Sequence, residues 1–496
     1  MSDRVEFSRV VEHGKVFERI WIVLILLAAA VFRFTGIDWD EYHHYHPDER
    51  FITWVAATVE WPRDLSSAFI PSQSSFNPYY WPPDAASKGI QVPQNEPRKF
   101  AYGHFPLYAG VAATRLAERL GPLLTDKLPQ EWLLTRDLLN GAGLIEFQHL
   151  TAVTRALTAL VDVGTVWLLF LLGKQVYGVK TGLLAAAFLA LNVMHIQLAH
   201  FFTFDPYMTF FVVAAIYFMV LAVNAGRETD TAVNGPPRRT VAWYLLLAGS
   251  SMGLAVGSKF SAILLILSLT VTVWGGMRRR RLQWLLAAVL AGVLSFLITN
   301  PFAALDFSCE VMTPAVNLGP VTLPAFNWKS CFLDNIATQG AMVRGRLDYP
   351  FTRQYAGTLP YLYYLEMQMR WGMGPLLGLV AFAGFVWAVW QEAKRLPLGK
   401  GKAPIWTMRA WREILHRLLS GRFFLPSSSL IPLILLSWTL PYFLTTGSFY
   451  VKFMRYLQPV VPFFMLYGAA MLVTGCKKRW RTAAILTTFT FTSLFA

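Results

Sequence analysis

Long runs of apolar residues recur along the chain, and short polar or basic segments separate them. The runs cover about residues 20–34, 154–173, 181–199, 206–224, 241–257, 260–275, 282–300, 371–391, 428–446 and 456–474, and a last one follows Arg481. Runs of about twenty apolar residues are long enough to cross the hydrocarbon core of a membrane as helices. The pattern predicts an all-α integral membrane protein, a bundle of about eleven transmembrane helices that forms a single domain over residues 1–496.

The final apolar run is shorter than the others. It extends from Thr482 to Ala496 and has only about fifteen residues, whereas a spanning helix needs roughly twenty. Whether a further C-terminal part follows Ala496 is therefore left open.

Composition agrees with a membrane protein, because 55% of the residues are hydrophobic and only 15% are charged. Ordinary globular domains carry roughly a quarter charged residues. The net charge is +15, and basic residues cluster between apolar runs near residues 275–283, 394–402, 409–417 and 476–481. Such clusters mark the cytoplasmic side of a membrane protein. We therefore expect no nucleic-acid partner, and we place the N-terminus and the loop 392–427 in the cytoplasm, beneath the plasma or inner membrane.

Two segments on the opposite, extracytoplasmic side are too long to be turns, and long loops are usually functional or disordered. They cover residues 35–153 and 301–370, and the first contains two candidate amphipathic helices, "LYAGVAATRLAERL" (107–120) and "TRDLLNGAGLIEF" (135–147). The second contains Cys309 and Cys331. A disulfide between them fits an extracytoplasmic location. The pairing stays open, because the sequence does not give the Cα separation that a disulfide requires.

Carboxylates and imidazoles crowd the start of the first outer loop, in "IDWDEYHHYHPDERFITWV" (37–55). Asp48 and Glu49 are adjacent there, and Asp205 precedes Pro206 at the start of another apolar run on the same side. An acid followed by proline is ordinary helix-start chemistry. Capping also fixes a carboxylate in place, and a positioned carboxylate can act as a general base.

Histidines near these acids raise the alternative of a metal site, since imidazoles and carboxylates bind divalent cations. His46 and His104 are the candidates for binding a divalent metal or the acceptor. Their spacing fits no recognised metal signature, so a structural or solvated role is the favoured interpretation. The metal requirement stays open.

Basic side chains recur on the outer side, against the usual bias toward the cytoplasm. The candidates for binding a donor phosphate are Arg50, Arg346, Arg353, Lys452 and Arg455. Any one of them can simply extend to lipid headgroups. A phosphate ligand explains the set as a whole, because guanidinium groups bind phosphate in a bidentate manner.

Two ionisable residues, Arg155 and Asp162, fall inside the second apolar run, seven positions apart on one predicted helical face. Charged groups at such depth are costly and usually face the interior of the bundle. We expect both to pair within the bundle.

Three motifs in a fixed order carry a family resemblance. An acidic pair follows the first span, a second acid lies at the turn between the third and fourth spans, and "KFMRYLQPVVPFFMLYGAAML" (452–472) comes near the end. This pattern resembles the GT-C superfamily of polytopic glycosyltransferases, and most closely the branch of the protein O-mannosyltransferases and the lipid-A aminoarabinose transferase. "YAGTLPYLYYL" (355–365) and "GLAVGSKFSAILL" (253–265) also look like bacterial members of that branch.

The resemblance implies roles for individual residues. Asp48 would be the catalytic carboxylate with Glu49 beside it, Asp205 would be the second acid, and Arg50 would contact the donor phosphate. The implied donor is a sugar linked through phosphate to a polyprenyl chain such as undecaprenyl. The implied acceptor is a hydroxyl of a protein, lipid or glycan. A single displacement with Asp48 as base would invert the anomeric carbon.

A polytopic transporter or lipid flippase is the alternative function. Its intramembrane charges would be Arg155, Asp162 and Lys259. The gathering of charges at one face and the lack of an inverted repeat favour the glycosyltransferase. The sugar, the acceptor and the oligomeric state are not determined by the sequence.

Overall fold

The computed structural model describes residues 2–62, 64–82, 97–124, 143–231, 238–277, 279–313, 316–318, 321–323, 326–395 and 427–495. Most of the predicted cytoplasmic loop 392–427 lies outside these residues. The same holds for the first part of the candidate amphipathic helix 135–147. The other candidate, 107–120, falls within a helix, as predicted.

Helices make up nearly all of the regular structure in the described part of the chain. They are α1 (Ser2–Phe34), α2 (Pro47–Ala57), α3 (Leu65–Ala68), α4 (Phe105–Leu124), α5 (Leu150–Tyr177), α6 (Val179–Ala190), α7 (Val193–Ala199), α8 (Asp205–Thr231), α9 (Arg238–Ser258), α10 (Leu265–Gly276), α11 (Arg281–Thr299), α12 (Pro301–Leu305), α13 (Cys331–Val343), α14 (Leu362–Met367), α15 (Pro375–Arg395), α16 (Ser427–Gly447), α17 (Val461–Ala470) and α18 (Lys478–Phe495). Short 3₁₀ segments cover Phe260–Leu264, Pro350–Tyr355 and Met454–Val460, and π-helical turns cover Gln368–Gly372 and Met471–Gly475.

Seven helices in the described ranges are long and apolar enough to cross a membrane. They are Leu150–Tyr177, Asp205–Gly226, Arg239–Ser258, Arg281–Thr299, Pro375–Arg395, Ser429–Gly447 and Met454–Gly475. The pair α6 and α7, bent by 59°, gives an eighth if it is one span. The chain is thus a mostly helical membrane protein, as predicted. The predicted number of eleven spans is not confirmed; the run at 260–275, for example, forms a shorter apolar helix.

Small residues allow α9 and α11 to pack backbone against backbone. A Cβ atom on Gly249 would lie 2.0 Å from the carbonyl oxygen of Ala288, and one on Gly253 would lie 2.1 Å from that of Gly292. Membrane helices associate through such small residues because lipid offers no hydrophobic force to drive them together. Ala288 and Gly292 are the buried residues of α11, so this contact fixes a helix that otherwise faces lipid.

Four short strands lie in the segment 301–370, which is predicted to be on the outer side. Strands β1 (Glu310–Thr313) and β4 (Phe326–Lys329) pair in antiparallel register, and so do β2 (Val316–Leu318) and β3 (Val321–Leu323). Cys309 and Cys331 flank this ladder and form a disulfide, with Cα atoms 4.7 Å apart. The structure therefore contains the pairing that the sequence left open.

A buried ionic network ties α1 to α5 and to the bent pair. Asp162 accepts a hydrogen bond from Arg33 Nε at 2.6 Å and lies 2.7 Å from His195 Nδ1, and all three side chains are 0% exposed. Arg33 also donates to the carbonyl oxygens of Leu189 and Ala190, at 3.2 and 3.0 Å. Those carbonyls end α6, so Arg33 ties α1 to the break between α6 and α7. Asp162 pairs within the bundle, as predicted, but with α1 and α7.

The predicted outer loops have a core of their own, and His104 lies within it. Its Nε2 atom is 2.9 Å from the hydroxyl of Tyr79, and its backbone N–H donates to Asn300 Oδ1. Burial lowers the pKa of His104 to about 3. The imidazole is therefore neutral and structural at neutral pH.

Replacing Asp162 with Asn should destabilise the protein strongly. The change leaves Arg33 buried without a counter-ion, and breaking a buried pair in this way costs about 3–5 kcal/mol. Thermal unfolding in detergent measures the effect. Asp348→Asn is the matched control, because Asp348 pairs with Arg353 on the surface at 2.6 Å and should change unfolding little. Equal effects of the two variants would contradict this assignment.

Protonation of His104 should make the fold sensitive to acid. Its pKa is about 3 in the folded protein and about 6.5 in an unfolded chain. The unfolded state therefore binds more protons below pH 6.5, and stability is lost as the pH falls from 6.5 toward 3. We expect this residue to remove about 2–3 kcal/mol between pH 7 and pH 4.5. The measurement is the shift in unfolding between these two pH values, which should be smaller in His104→Asn than in the wild type.

Candidate functional site

Helix α2 places Asp48 at one end of the bundle. Pro47 is its first residue, and His46 caps it by accepting a hydrogen bond from the N–H of Glu49 at Nδ1, 3.2 Å away. Burial lowers the pKa of His46, and the charge of Asp48 offsets only part of that effect. A neutral imidazole that accepts at Nδ1 is consistent with both observations. The cap therefore fixes Asp48 in the first helical turn.

Two carboxylates at this end each pair with a cation from a distant segment. Asp48 lies 2.7 Å from Arg455, whose side chain comes from the 3₁₀ segment Met454–Val460. Asp205, the first residue of α8, lies 2.7 Å from Lys259 at the end of α9. The structure thus brings together three residues that the sequence places in one site, namely Asp48, Asp205 and Arg455.

Tyr456 lies between the two ion pairs. The Nζ atom of Lys259 is 4.8 Å from the centre of its ring, and the Cζ atom of Arg455 is 6.0 Å from it. Arg455 also interacts electrostatically with both Asp48 and Asp205. The four charged groups therefore form one cluster around one aromatic ring, with a formal net charge of zero.

Tyr102 is a further partner of Asp48. Its phenol interacts electrostatically with the carboxylate, and burial raises the pKa of the phenol well above the usual value, so it remains protonated. The backbone next to Tyr102 packs closely against the end of α9, because a Cβ on Gly103 would lie 1.9 Å from the carbonyl oxygen of Gly257. Gly257 precedes Lys259 by two residues. The same contact therefore positions the partners of both acids.

Glu49 does not share this environment, although it follows Asp48 in sequence. It is 0% exposed, and Arg155 donates to it from Nε at 2.8 Å and from Nη2 at 2.7 Å. Its Oε1 also accepts the N–H of Phe202 at 2.7 Å. With both oxygens occupied by protein groups, Glu49 is placed as an anchor of α2. This position does not suit the catalytic role predicted for it.

Arg155 binds a second carboxylate as well. It donates to both oxygens of Asp40 at 2.8 Å. Burial alone would raise the pKa of Asp40, but the hydrogen bonds and charge of Arg155 hold it below its usual value. Left-handed backbone at Glu41, Tyr42 and His44, with φ of 48°, 66° and 54°, bends the loop sharply between the two acids. Such backbone is rare in non-glycine residues.

The other predicted phosphate ligands lie outside the cluster of four charges. Arg50 and Arg346 are exposed, and Arg353 pairs with exposed Asp348. Lys452 is only 3% exposed and donates to Thr358 Oγ1 and to the Tyr450 carbonyl, each at 3.0 Å. Burial lowers its pKa. It is thus a buried cation whose partners are neutral oxygens.

Three site residues were not predicted for this site: Lys259, Tyr102 and Tyr456. From sequence, Lys259 is predicted only as an intramembrane charge of the alternative transporter. A usable signal exists, because Lys259 ends an apolar run on the same side as Asp205. The two tyrosines carry no comparable signal among the 19 tyrosines of the chain.

Metal ligands are not grouped in the described residues. Across those ranges no group of three or more His, Cys, Asp or Glu side chains is placed to hold a metal ion. His46 caps α2, and His104 bonds Tyr79. Both histidines therefore have structural contacts, and the metal requirement stays open.

Comparison with known proteins agrees with this architecture. Residues 144–304 match the family model described as dolichyl-phosphate-mannose-protein mannosyltransferase. No curated protein sequence matches the chain significantly.

Solved structures share the fold at low sequence identity. The oligosaccharyltransferase of Archaeoglobus fulgidus, in complex with Zn and sulfate, is 15% identical with a TM-score of 0.52, over 95% of this chain and 53% of that chain. The same archaeal enzyme, AglB, in complex with an inhibitory peptide and a dolichol-phosphate, is 14% identical with a TM-score of 0.52, over 97% of this chain and 56% of that chain. ArnT from Cupriavidus metallidurans bound to undecaprenyl phosphate is 16% identical over 94% of this chain and 62% of that chain, with a lower TM-score of 0.47.

This chain spans about half the length of the oligosaccharyltransferase chains that it matches. At such identity the likeness shows the fold alone. Together, the family match over 144–304 and the shared fold confirm the resemblance to the GT-C superfamily of membrane glycosyltransferases.

Proposed function

We propose that this protein is a membrane glycosyltransferase that moves a sugar from a polyprenyl-phosphate donor to an acceptor hydroxyl. The observation that carries the proposal is the cluster of two acids and two cations around Tyr456. Such a cluster places a carboxylate that can act as a base next to cations that can bind an anion. The matched family model is named for a dolichyl-phosphate sugar, and one structure of the same fold contains a dolichol-phosphate.

Arg455 and Lys259 are the proposed ligands of the donor phosphate. A phosphodiester donor carries one negative charge, and the lipid phosphate that leaves carries close to two. Cations placed where negative charge develops stabilise the transition state. The polyprenyl tail would lie in the surrounding lipid.

Asp48 is the proposed general base. In the free protein its carboxylate is bound by Arg455, so the donor phosphate and Asp48 compete for one guanidinium. When Arg455 turns to the phosphate, Asp48 is free to take a proton. The acceptor oxygen then forms a bond to the anomeric carbon, the bond from that carbon to the phosphate oxygen breaks, and its electrons remain on the phosphate. A single displacement of this kind inverts the anomeric carbon.

The proposed location is the extracytoplasmic face of the cell membrane. The basic connections cluster between other pairs of apolar runs, and such clusters stay in the cytoplasm. The acceptor would then be a protein, lipid or glycan hydroxyl on the far side of the membrane. A flippase would share the lipid-phosphate site but would release no free polyprenyl phosphate.

The direct test is incubation of the purified protein with a panel of polyprenyl-phosphate sugars and a membrane extract as the source of acceptors. Mass spectrometry measures released polyprenyl phosphate, with and without EDTA to determine any metal requirement. Transfer of a sugar supports the proposal. Movement of the lipid across a liposome membrane without any glycosyl product would establish the flippase instead.

Asp48→Asn should lower turnover by about 10²- to 10⁴-fold, the range for removal of a positioned base. The protein should remain folded, because the carboxylate is partly exposed, at 25%. Turnover and thermal unfolding are measured on the same preparation. Asp348→Asn serves as the control for loss of a paired surface carboxylate. Near-normal turnover in Asp48→Asn would refute the assigned base.

Arg455→Ala should weaken binding of polyprenyl phosphate more than binding of the donor, since the free phosphate carries more negative charge than the phosphodiester. Loss of a charge-assisted hydrogen bond corresponds to roughly 10-fold or more in affinity. Titration calorimetry in detergent compares the two ligands. Arg353→Ala is the control, because that arginine is exposed and has its own partner. Unchanged affinity for both ligands in Arg455→Ala would rule out this phosphate site.

A further inference from the structure

Tyrosines from three separate segments gather beside the two ion pairs. Tyr456 lies against Lys259 and Arg455. Tyr442 of α16 interacts electrostatically with Asp205. Tyr364 of α14 interacts electrostatically with both Tyr456 and Tyr442. The proposed phosphate site is therefore bordered by aromatic rings that carry hydroxyl groups.

Tyr364 is 0% exposed, and its hydroxyl has no hydrogen-bond partner among the described residues. Burial raises its pKa far above the usual value, so it remains a donor. A buried polar atom without a partner costs about 1–3 kcal/mol, and the great majority of such atoms have one. This unpartnered donor is therefore a candidate to bind a polar group of a ligand.

The chemistry of these tyrosines suits a carbohydrate. A sugar ring presents C–H groups that pack on an aromatic face and hydroxyls that bond to a tyrosine, and tyrosine offers both an apolar body and a polar tip. Binding sites for small molecules have this composition, with apolar walls and a few placed polar groups. A polyprenyl tail needs no hydroxyl donor, and a phosphate is better served by the cations.

The location of the tyrosines also suits the sugar of the donor. In the donor the sugar is attached directly to the phosphate. A phosphate bound by Arg455 and Lys259 therefore puts the sugar near Tyr456, because the centre of its ring lies 4.8 Å from Lys259 Nζ and 6.0 Å from Arg455 Cζ. Tyr364 interacts electrostatically with Tyr456 and carries the unpartnered hydroxyl.

We propose that Tyr456 and Tyr364 form the subsite for the sugar of the donor. The ring of Tyr456 packs against the C–H face of the sugar, and the hydroxyl of Tyr364 donates to one sugar hydroxyl. This inference rests on the proposed glycosyltransferase function and adds the residues that recognise the transferred group.

The test compares two ligands that share the polyprenyl phosphate, one with the sugar and one without it. Polyprenyl phosphate and polyprenyl-phosphate mannose, or whichever panel donor the wild type turns over, are titrated against the wild type and Tyr364→Phe. The variant removes one hydroxyl and keeps the ring. We expect roughly 3- to 10-fold weaker binding of the sugar donor, the value of one hydrogen bond, and unchanged binding of polyprenyl phosphate. Tyr349→Phe, at an exposed ring stacked on Phe351, is the control and should change neither.

Deoxy analogues of the donor sugar identify the contact. Each analogue that lacks a recognised hydroxyl should bind the wild type less well. One of them should lose no further affinity in Tyr364→Phe, because the same hydrogen bond is already absent. If Tyr364→Phe does not fold, Tyr456→Leu gives an independent result, since loss of that ring should weaken the sugar donor more than polyprenyl phosphate.

The outcomes separate the two proposals. If the wild type turns over a sugar donor and Tyr364→Phe binds it normally, the hydroxyl meets only water and the subsite is wrong. Equal weakening of both ligands also overturns the subsite. If the wild type turns over no sugar donor in any panel reaction, the glycosyltransferase proposal fails and the subsite fails with it.

Discussion

The free-energy cost of taking charge out of water is the constraint on which this end of the bundle depends. A buried ion without a partner costs several kcal/mol even after relaxation. Asp162 meets this cost by pairing with Arg33, and Glu49 and Asp40 meet it by sharing Arg155. Each pair joins segments distant in sequence. The ion pairs therefore fix which parts of the chain come together where the hydrophobic contacts are nonspecific.

Exposure divides these pairs into two kinds. Arg155 and its carboxylates are between 0% and 2% exposed, whereas Asp48 is 25% and Arg455 is 19% exposed. An exposed ion pair is weak, and breaking a buried one is costly. The Asp48–Arg455 pair can therefore exchange partners with a ligand, while the pairs of Arg155 cannot. This difference separates groups that act on a substrate from groups that hold the site in shape.

Sequence patterns predict the parts of this protein that depend on long stretches. The membrane class follows from the length and apolarity of the runs, and the common side of Asp48, Asp205 and Arg455 follows from the distribution of basic clusters. The number of spans does not follow, because a bend such as that between α6 and α7 leaves the hydropathy unchanged. Short-range roles are also beyond the sequence. The two adjacent acids have the same local signals, and only the tertiary structure assigns one to Arg155.

Helix geometry explains why adjacent acids take different roles. Successive residues of an α-helix point about 100° apart. When Glu49 faces Arg155, Asp48 therefore points in a different direction, toward Arg455. The N–H of Phe202 bonds Glu49, and Phe202 precedes Asp205 by only three residues. The segment that carries Asp205 is thus tied to the helix that carries Asp48. The two acids are held together by backbone and buried contacts, so any exchange of partners in this site has to come from the long side chains of Arg455 and Lys259.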